Sequence, residues 1–271
     1  MSRIEYAFVM SGAASFKDAG IANVTDTYHG QILTRTRELK TAVLKDLSPK
    51  EFANELLAAS LASRLGLPVP PAYIGVTEPG NPCANRTRLE DGRGLLFASV
   101  NVGAPSIASL VLAELDTDAR ATLKPIVNLL TKEPWLGRLY GFDTWVANID
   151  RHIGNVLFSA DAGVWIIDHG HCFTGPSWRV ADLISDANYR NRLREWLTPM
   201  LSDADRKKLA DGASALAAQL PKLNLDASDS DLSINGLIGD SDSEALINFL
   251  RERIAVVSQF SGLALNEPRI V

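Results

Sequence analysis

Cysteine is scarce in this chain: there are 2 in 271 residues, Cys83 and Cys172. That excludes a disulfide framework, and a reducing, cytoplasmic setting is the simplest reading. An excess of basic charge is also missing. Lys and Arg number 27 against 32 Asp and Glu, a formal net charge of −5. Proteins that grip nucleic acid or anionic membranes through bulk charge are usually basic, so neither partner is expected. No apolar run approaches the ~18 residues needed to span a bilayer. The N-terminal MSRIEYAFVMSG has no apolar stretch long enough for a secretion signal. There is no GK[ST] phosphate loop, no H-E-x-x-H, no C-x-x-C and no internal repeat. What remains is an ordinary globular composition, 46% apolar and 22% charged. Its length suits one two-lobed domain or two small ones.

The chemistry concentrates in residues 142–173, FDTWVANIDRHIGNVLFSADAGVWIIDHGHCF. Residues 136–148 have helical periodicity: Leu136, Leu139, Tyr140, Val146 and Ala147 share a stripe, and Asp143 falls on it. A carboxylate on an apolar face must be hydrogen-bonded. Backbone N–H groups or Arg151 are the natural partners. Residues 155–159 and 164–167 read as strands around a four-residue loop, 160–163. In that register Asn155 faces Asp168, with Cβ atoms roughly 4.5–5.5 Å apart. An amide oxygen and a carboxylate so placed can share a hard cation such as Mg²⁺. Asp150, in the loop ahead of the hairpin, is close enough to take a proton without ligating the metal. A base, an Asn and an Asp in this order are the parts of a phosphoryl-transfer site.

The segment N-x-D-R-H-x-x-N followed by I-D-H-G (residues 148–155 and 167–170) resembles the HipA-like kinases of bacteria and, more distantly, the phosphatidylinositol 3- and 4-kinases. The resemblance implies an α+β, two-lobed protein-kinase-like fold. It would have an antiparallel, β-rich N-lobe with one key helix (residues 1–100) and a mostly helical C-lobe (101–271). It implies Asp150 as catalytic base and Asn155 and Asp168 as holders of Mg²⁺, with ATP as donor and a Ser/Thr hydroxyl of a protein as acceptor. A toxin role with an antitoxin-type regulator belongs to the same resemblance. His169 stands in D-H-G where many kinases have Phe, and Gly170 permits the sharp turn that aims Asp168. His152 reads as a buried scaffold residue. With His169, His171 and Cys172 it also raises a zinc or iron site, for which the spacing gives little support.

The N-terminal part supplies the rest. Residues 4–10 read as a strand, followed by Ser11-Gly12-Ala-Ala-Ser15. Small residues let backbone N–H groups approach an anion, so Ser11 and Gly12 are candidates for covering phosphate; a plain turn is the alternative. Residues 30–36 and 38–44 read as paired strands, and Lys45 closes the second. A helix over 49–65 has Ser48 as N-cap, Pro49 at its first position and Glu51 completing a capping box. Glu55 lies on its alanine face with Ala58, Ala59 and Ala62. A strand lysine salt-bridged to a helix glutamate positions ATP in kinases; a solvated lysine and a surface glutamate are the alternative. Lys40 points to the opposite strand face, and Lys50 lies in the helix. Residues 72–76 and 95–102 read as strands, with a hinge at 98–101 where the backbone of Ala98 and Val100 would meet adenine.

Helices are expected over 106–115, 117–130, 134–148, 181–197, 202–220 and 241–260, the last with a Ser241–Glu244 capping box. The Asp/Ser run at 224–231 reads as a solvated connector. Two other functions remain open: a small-molecule or lipid kinase, and a nucleotide-binding pseudokinase acting as a binding module.

Overall fold

The structure, a computed structural model, describes residues 5–17, 26–113, 119–225 and 234–268. Most of the 224–231 run therefore lies outside the described residues. Six strands form the N-terminal part: β1 (Glu5–Val9), β2 (Ala14–Ser15), β3 (Asp26–Leu33), β4 (Leu39–Asp46), β5 (Ala72–Pro79) and β6 (Arg93–Val100). Their order is β1-β5-β6-β4-β3-β2. β1 also pairs with β3 through Phe8–Leu33 and Val9–Ile32, so five strands close into a ring. Closure removes the exposed edges that an open sheet would offer for aggregation. The ring is not wholly antiparallel, because β1 runs parallel to β5. A small interior of Val9, Ile32, Leu44, Leu96 and Ala98 fills it.

Helix α1 (Pro49–Arg64) joins this ring to the rest of the chain. Phe52, Leu56, Leu57 and Leu61 are buried, and so are Ala58, Ala59 and Ala62. The main core runs without a break from α1, Ile74 and Phe97 to the later helices. Ser48 is at the N-cap with Pro49 behind it, but its side chain makes no cap bond. The expected capping box is absent: Glu51 instead packs where a Cβ on Gly170 would meet its Cγ at 3.1 Å.

After the sheet come α2 (Ile107–Ala113), α3 (Ala119–Leu130) and α4 (Leu136–Trp145), then a hairpin of β7 (Val156–Ser159) and β8 (Gly163–Ile166). α5 (Leu193–Trp196), α6 (Asp203–Ala217), α7 (Ile234–Ile238), α8 (Asp240–Arg253) and α9 (Val257–Ala264) complete the described chain. None of the described helices is long and apolar enough to cross a membrane. The expected helix over 241–260 is split near residue 254, and its N-cap is Gly239 with no side-chain cap bond, not a Ser241–Glu244 box. The expected helix over 181–197 shrinks to a 3-10 turn, Val180–Asp182, and one short turn at α5. The cause is competition for backbone groups. Arg253 is buried and donates to the carbonyls of Ser185 (3.0 Å) and Ala187 (2.9 Å), and to Thr144 (2.7 Å) and Trp145 (3.1 Å). The Tyr189 hydroxyl accepts from the Ile184 N–H and donates to the Asp182 carbonyl. Helical i to i+4 bonds cannot form where side chains hold these groups. Burial pulls the Arg253 guanidinium down to about 10, against the weaker opposing pull of Tyr189 and Asp186.

α4 and α6 cross in near contact. A Cβ on Gly137 would lie 2.6 Å from the Leu209 carbonyl and 3.1 Å from Gly212 Cα. In a free helix Gly137→Ala would gain roughly 1 kcal/mol from propensity. Here the methyl meets backbone, and overpacking costs about 1–3 kcal/mol. Denaturant unfolding is expected to show a net loss of stability; a gain would mean the two helices can separate at no cost.

Candidate active site

The loop after α4 is built around Arg151, which is fully buried. Its Nε and Nη2 donate to the two carboxylate oxygens of Asp143, each at 3.1 Å. It also donates to the Ile167 carbonyl and to His169 Nδ1 (3.1 Å). Asn148 donates to Asp143 Oδ1 at 3.1 Å and accepts from the Asp150 N–H at 3.0 Å. The carboxylate on the apolar helix face is thus satisfied by the loop it supports. Burial pushes the Asp143 carboxyl up, and Arg151 opposes that. Because guanidinium can only donate, His169 Nδ1 must accept and the proton resides on Nε2. Burial, and then Arg151, hold the imidazole well below its ordinary pKa, so it is neutral.

Asp150 faces outward. Its carboxylate pairs with Arg192, and His152 Nε2 lies 3.7 Å away. His152 is partly exposed rather than buried. Its Nδ1 accepts from the Gly154 N–H at 2.9 Å, capping the turn Ile153–Asn155. The Asn155 amide nitrogen donates to the Asp150 carbonyl at 2.8 Å, which leaves its amide oxygen as the end free to act as a ligand.

The hairpin register differs by one residue from the expected one. Ser159 opposes Gly163, so the loop is 160–162, and Ile167 donates to the Asn155 carbonyl at 3.1 Å. Gly163 has φ +74°, the left-handed residue that closes three-residue loops with a bulge. Asn155 therefore faces Ile167, with Asp168 one step beyond. Asp168 itself makes the sharp turn, at φ +63°; Gly170 is not left-handed, and its lack of a side chain instead makes room for Glu51.

Lys45 brings the two halves together. Its ammonium donates to Glu55 Oε1 at 2.6 Å and to Asp168 Oδ1 at 2.9 Å. The other Glu55 oxygen accepts from the His169 N–H at 2.9 Å. Burial alone would lower the Lys45 pKa, but Asp168 and Glu55 outweigh it and hold the ammonium above its ordinary value. The Asp168 side chain stays 41% exposed. Burial works against its ionisation, but the Lys45 ammonium outweighs it and holds the carboxyl well below the usual range. Burial raises Glu55. The solvated Lys45 and surface Glu55 of the alternative reading are thereby excluded.

These groups line a cavity of about 80 Å³ walled by Val43, Ala59, Val69, Val100, Leu157 and Ile166. Ser99, Asn101 and Val102 border it as well. Ala98 does not. It is buried in the ring interior, and its place in the ladder lies between Leu44 and Tyr73. Ser11 and Gly12 lie in the irregular link between β1 and β2, Gly12 at φ +88°, and neither lines the cavity. Among the described residues no cluster of three or more His, Cys, Asp and Glu could hold a metal unaided. The Asp168 carboxylate and Asn155 amide oxygen are hard donors that suit Mg²⁺, an ion that usually keeps water and phosphate ligands.

Asn54, next to Glu55 on α1, was not singled out by sequence. Its amide nitrogen contacts the carbonyls of Gly170 (2.8 Å), Cys172 (3.1 Å) and Gly175 (3.0 Å). Its oxygen accepts from Trp178 Nε1 at 3.0 Å. The helix that carries Glu55 thus also clamps the chain beyond Asp168. A polar residue with poor helix propensity inside a buried helix was the one available signal. Arg192 gave none. Asn54→Ala leaves several buried carbonyls and an indole unpaired, and thermal unfolding is expected to register a loss of about 3 kcal/mol. Stability unchanged from wild type would mean that water replaces the clamp.

A model of the HipA-like kinase family matches residues 42–223. A crystal structure of the Helicobacter pylori proinflammatory kinase CtkA is similar over 98% of this chain and 99% of its own, with TM-score 0.59 and 14% sequence identity. At that identity the likeness speaks for the fold alone. No curated protein sequence matches the chain.

Proposed function

The chain belongs to the HipA-like kinase family, and from that premise we propose that it is an ATP- and Mg²⁺-dependent phosphotransferase acting on a Ser or Thr hydroxyl of a protein. The observation that carries the reading is the convergence of Lys45, Glu55 and Asp168 from a strand, a helix and a hairpin end. In this reading residues 1–100 form an N-lobe and 101–271 a C-lobe, with the nucleotide between them. Lys45, held by Glu55, binds ATP phosphates. The backbone from Ser99 to Asn101, Val100 included, meets adenine between the apolar walls. Asn155 and Asp168 would hold the metal, which when bound neutralises charge on the transferring phosphoryl group. Asp150 accepts the acceptor's proton, and Arg192 holds its carboxylate in place. A cytoplasmic setting and a regulatory partner of the antitoxin type complete the reading.

The cavity of about 80 Å³ is well below the ~300 Å³ of a small ligand site. Nucleotide would need this cleft to widen, and Asp168 would then help hold the metal while Lys45 stays with Glu55. A second reading is a pseudokinase that binds nucleotide without turning it over and serves as a binding module. ADP formation from ATP, with and without Mg²⁺, separates the two. The kinase reading predicts Mg²⁺-dependent turnover that falls by about 10²–10⁴-fold in Asp150→Asn. Nucleotide binding without turnover would leave the binding module.

A further inference from the structure

A second concavity of about 700 Å³, open to solvent, lies between the clamped chain after Asp168 and the irregular segment 183–190. Ile149 is part of its lining, and Asp150 is the next residue. Thr174, Pro176, Trp178, Ala181 and Ile184 form its walls. Ile184 is 53% exposed, and the neighbouring Val180 48%. The charged groups of the lining are committed elsewhere: Asp182 to Arg179 (3.0 Å) and Arg190 to Glu195 (2.6 Å). The Tyr189 hydroxyl is likewise engaged, with Ile184 and Asp182. The groove therefore offers a phosphate, sugar acid or acidic headgroup no unpaired cation. What it offers is mainly apolar surface, with Ile149, Pro176, Ala181 and Ile184 as its aliphatic part. It is also preformed. Phe173 (φ +55°) and Thr174 (φ +75°) adopt left-handed backbone, and Asn54 holds the carbonyls of Cys172 and Gly175.

We propose that this groove is the acceptor-docking site, and that its occupant is a protein segment carrying an aliphatic residue close to the acceptor Ser or Thr. The proposal rests on the kinase reading above. In the step it serves, the serine Oγ forms a bond to the γ-phosphorus and the bond to the β–γ bridging oxygen breaks. ADP leaves with that electron pair, and the serine proton passes to Asp150. Seating the aliphatic side chain near Ile184 would bring the hydroxyl toward Asp150, next to Ile149 of the lining.

The probe is a set of short peptides with one central serine, in which each neighbouring position carries leucine or aspartate in turn. The enzyme is the full chain with Mg²⁺ and ATP, and phosphopeptide formation and ADP are both measured. At one position leucine is expected to be preferred about tenfold or more in kcat/KM, the scale of one apolar side chain in a pocket. Ile184→Asp is expected to bring that ratio close to one, whereas a merely misfolded variant would lower both peptides together and leave the ratio intact. A ratio unchanged in Ile184→Asp, no leucine preference at any position, or ADP formed with no peptide phosphorylated would each overturn the docking site. Absence of ADP under every condition would instead overturn the kinase reading on which it rests.

Discussion

Asp168→Asn is expected to lower phosphoryl transfer about a thousandfold, the order found when one preorganised electrostatic group is removed from a reacting centre. Asparagine is the informative replacement. It tolerates left-handed backbone better than most residues, so the φ of +63° at this position persists while the charge is lost. Lys45 keeps its bond to Glu55, and Glu55 keeps the His169 N–H, so the cleft stays assembled. Circular dichroism melting is expected to match wild type, while turnover at saturating ATP collapses. Activity within tenfold of wild type would show that Asp168 is a structural partner of Lys45 and nothing more.

The largest stability effect is expected at Arg151, in a pair with 0% exposure on both sides. Arg151→Met strands the Asp143 carboxylate in the core, and breaking a buried pair from one side costs about 3–5 kcal/mol. Against a total of roughly 5–15 kcal/mol, this is a large share of what keeps the chain folded. For a domain of this size the melting temperature should fall on the order of 10 °C. Restoring neutrality is the control. Asp143→Leu combined with Arg151→Met removes both charges, and apolar replacement of a buried pair is often close to neutral. Recovery is expected to be partial, because Arg151 also bonds the Ile167 carbonyl and His169. A double variant no better than the single one would place the cost in those two contacts and not in the ion pair.

The arrangement of the candidate site was legible because it is local. Asp150, Asn155 and Asp168 fall within nineteen residues of sequence, and the Lys45–Glu55 pair needs only a strand end and the helix after it. Asp143 was readable as a carboxylate requiring partners because its place on the apolar stripe left it no other role. The details that escaped depend on left-handed backbone or on long-range side-chain bonds. The segment Ala-Asp-Ala-Gly does not distinguish a three-residue loop from a four-residue one; the left-handed Gly163 decides it and shifts the hairpin by one residue. Arg253 lies 66 and 68 residues from the carbonyls of Ala187 and Ser185 that it takes from a would-be helix. Nothing in residues 181–197 signals that competition. The parallel β1–β5 pair in the ring joins segments separated by three strands and α1, and strand periodicity carries no information about such a partner.

Transfer of label from γ-labelled ATP, with Mg²⁺ present, is the most direct measurement of the central claim, made on wild type and Asp150→Asn side by side. Label is expected on the chain itself or on a protein of a cell lysate for the wild type, and on neither for Asp150→Asn. Equal labelling by both proteins would remove the phosphoryl-transfer site from residues 150–168. No label and no ADP from wild type, with nucleotide still raising its melting temperature, would contradict the phosphotransferase account and leave a nucleotide-binding module.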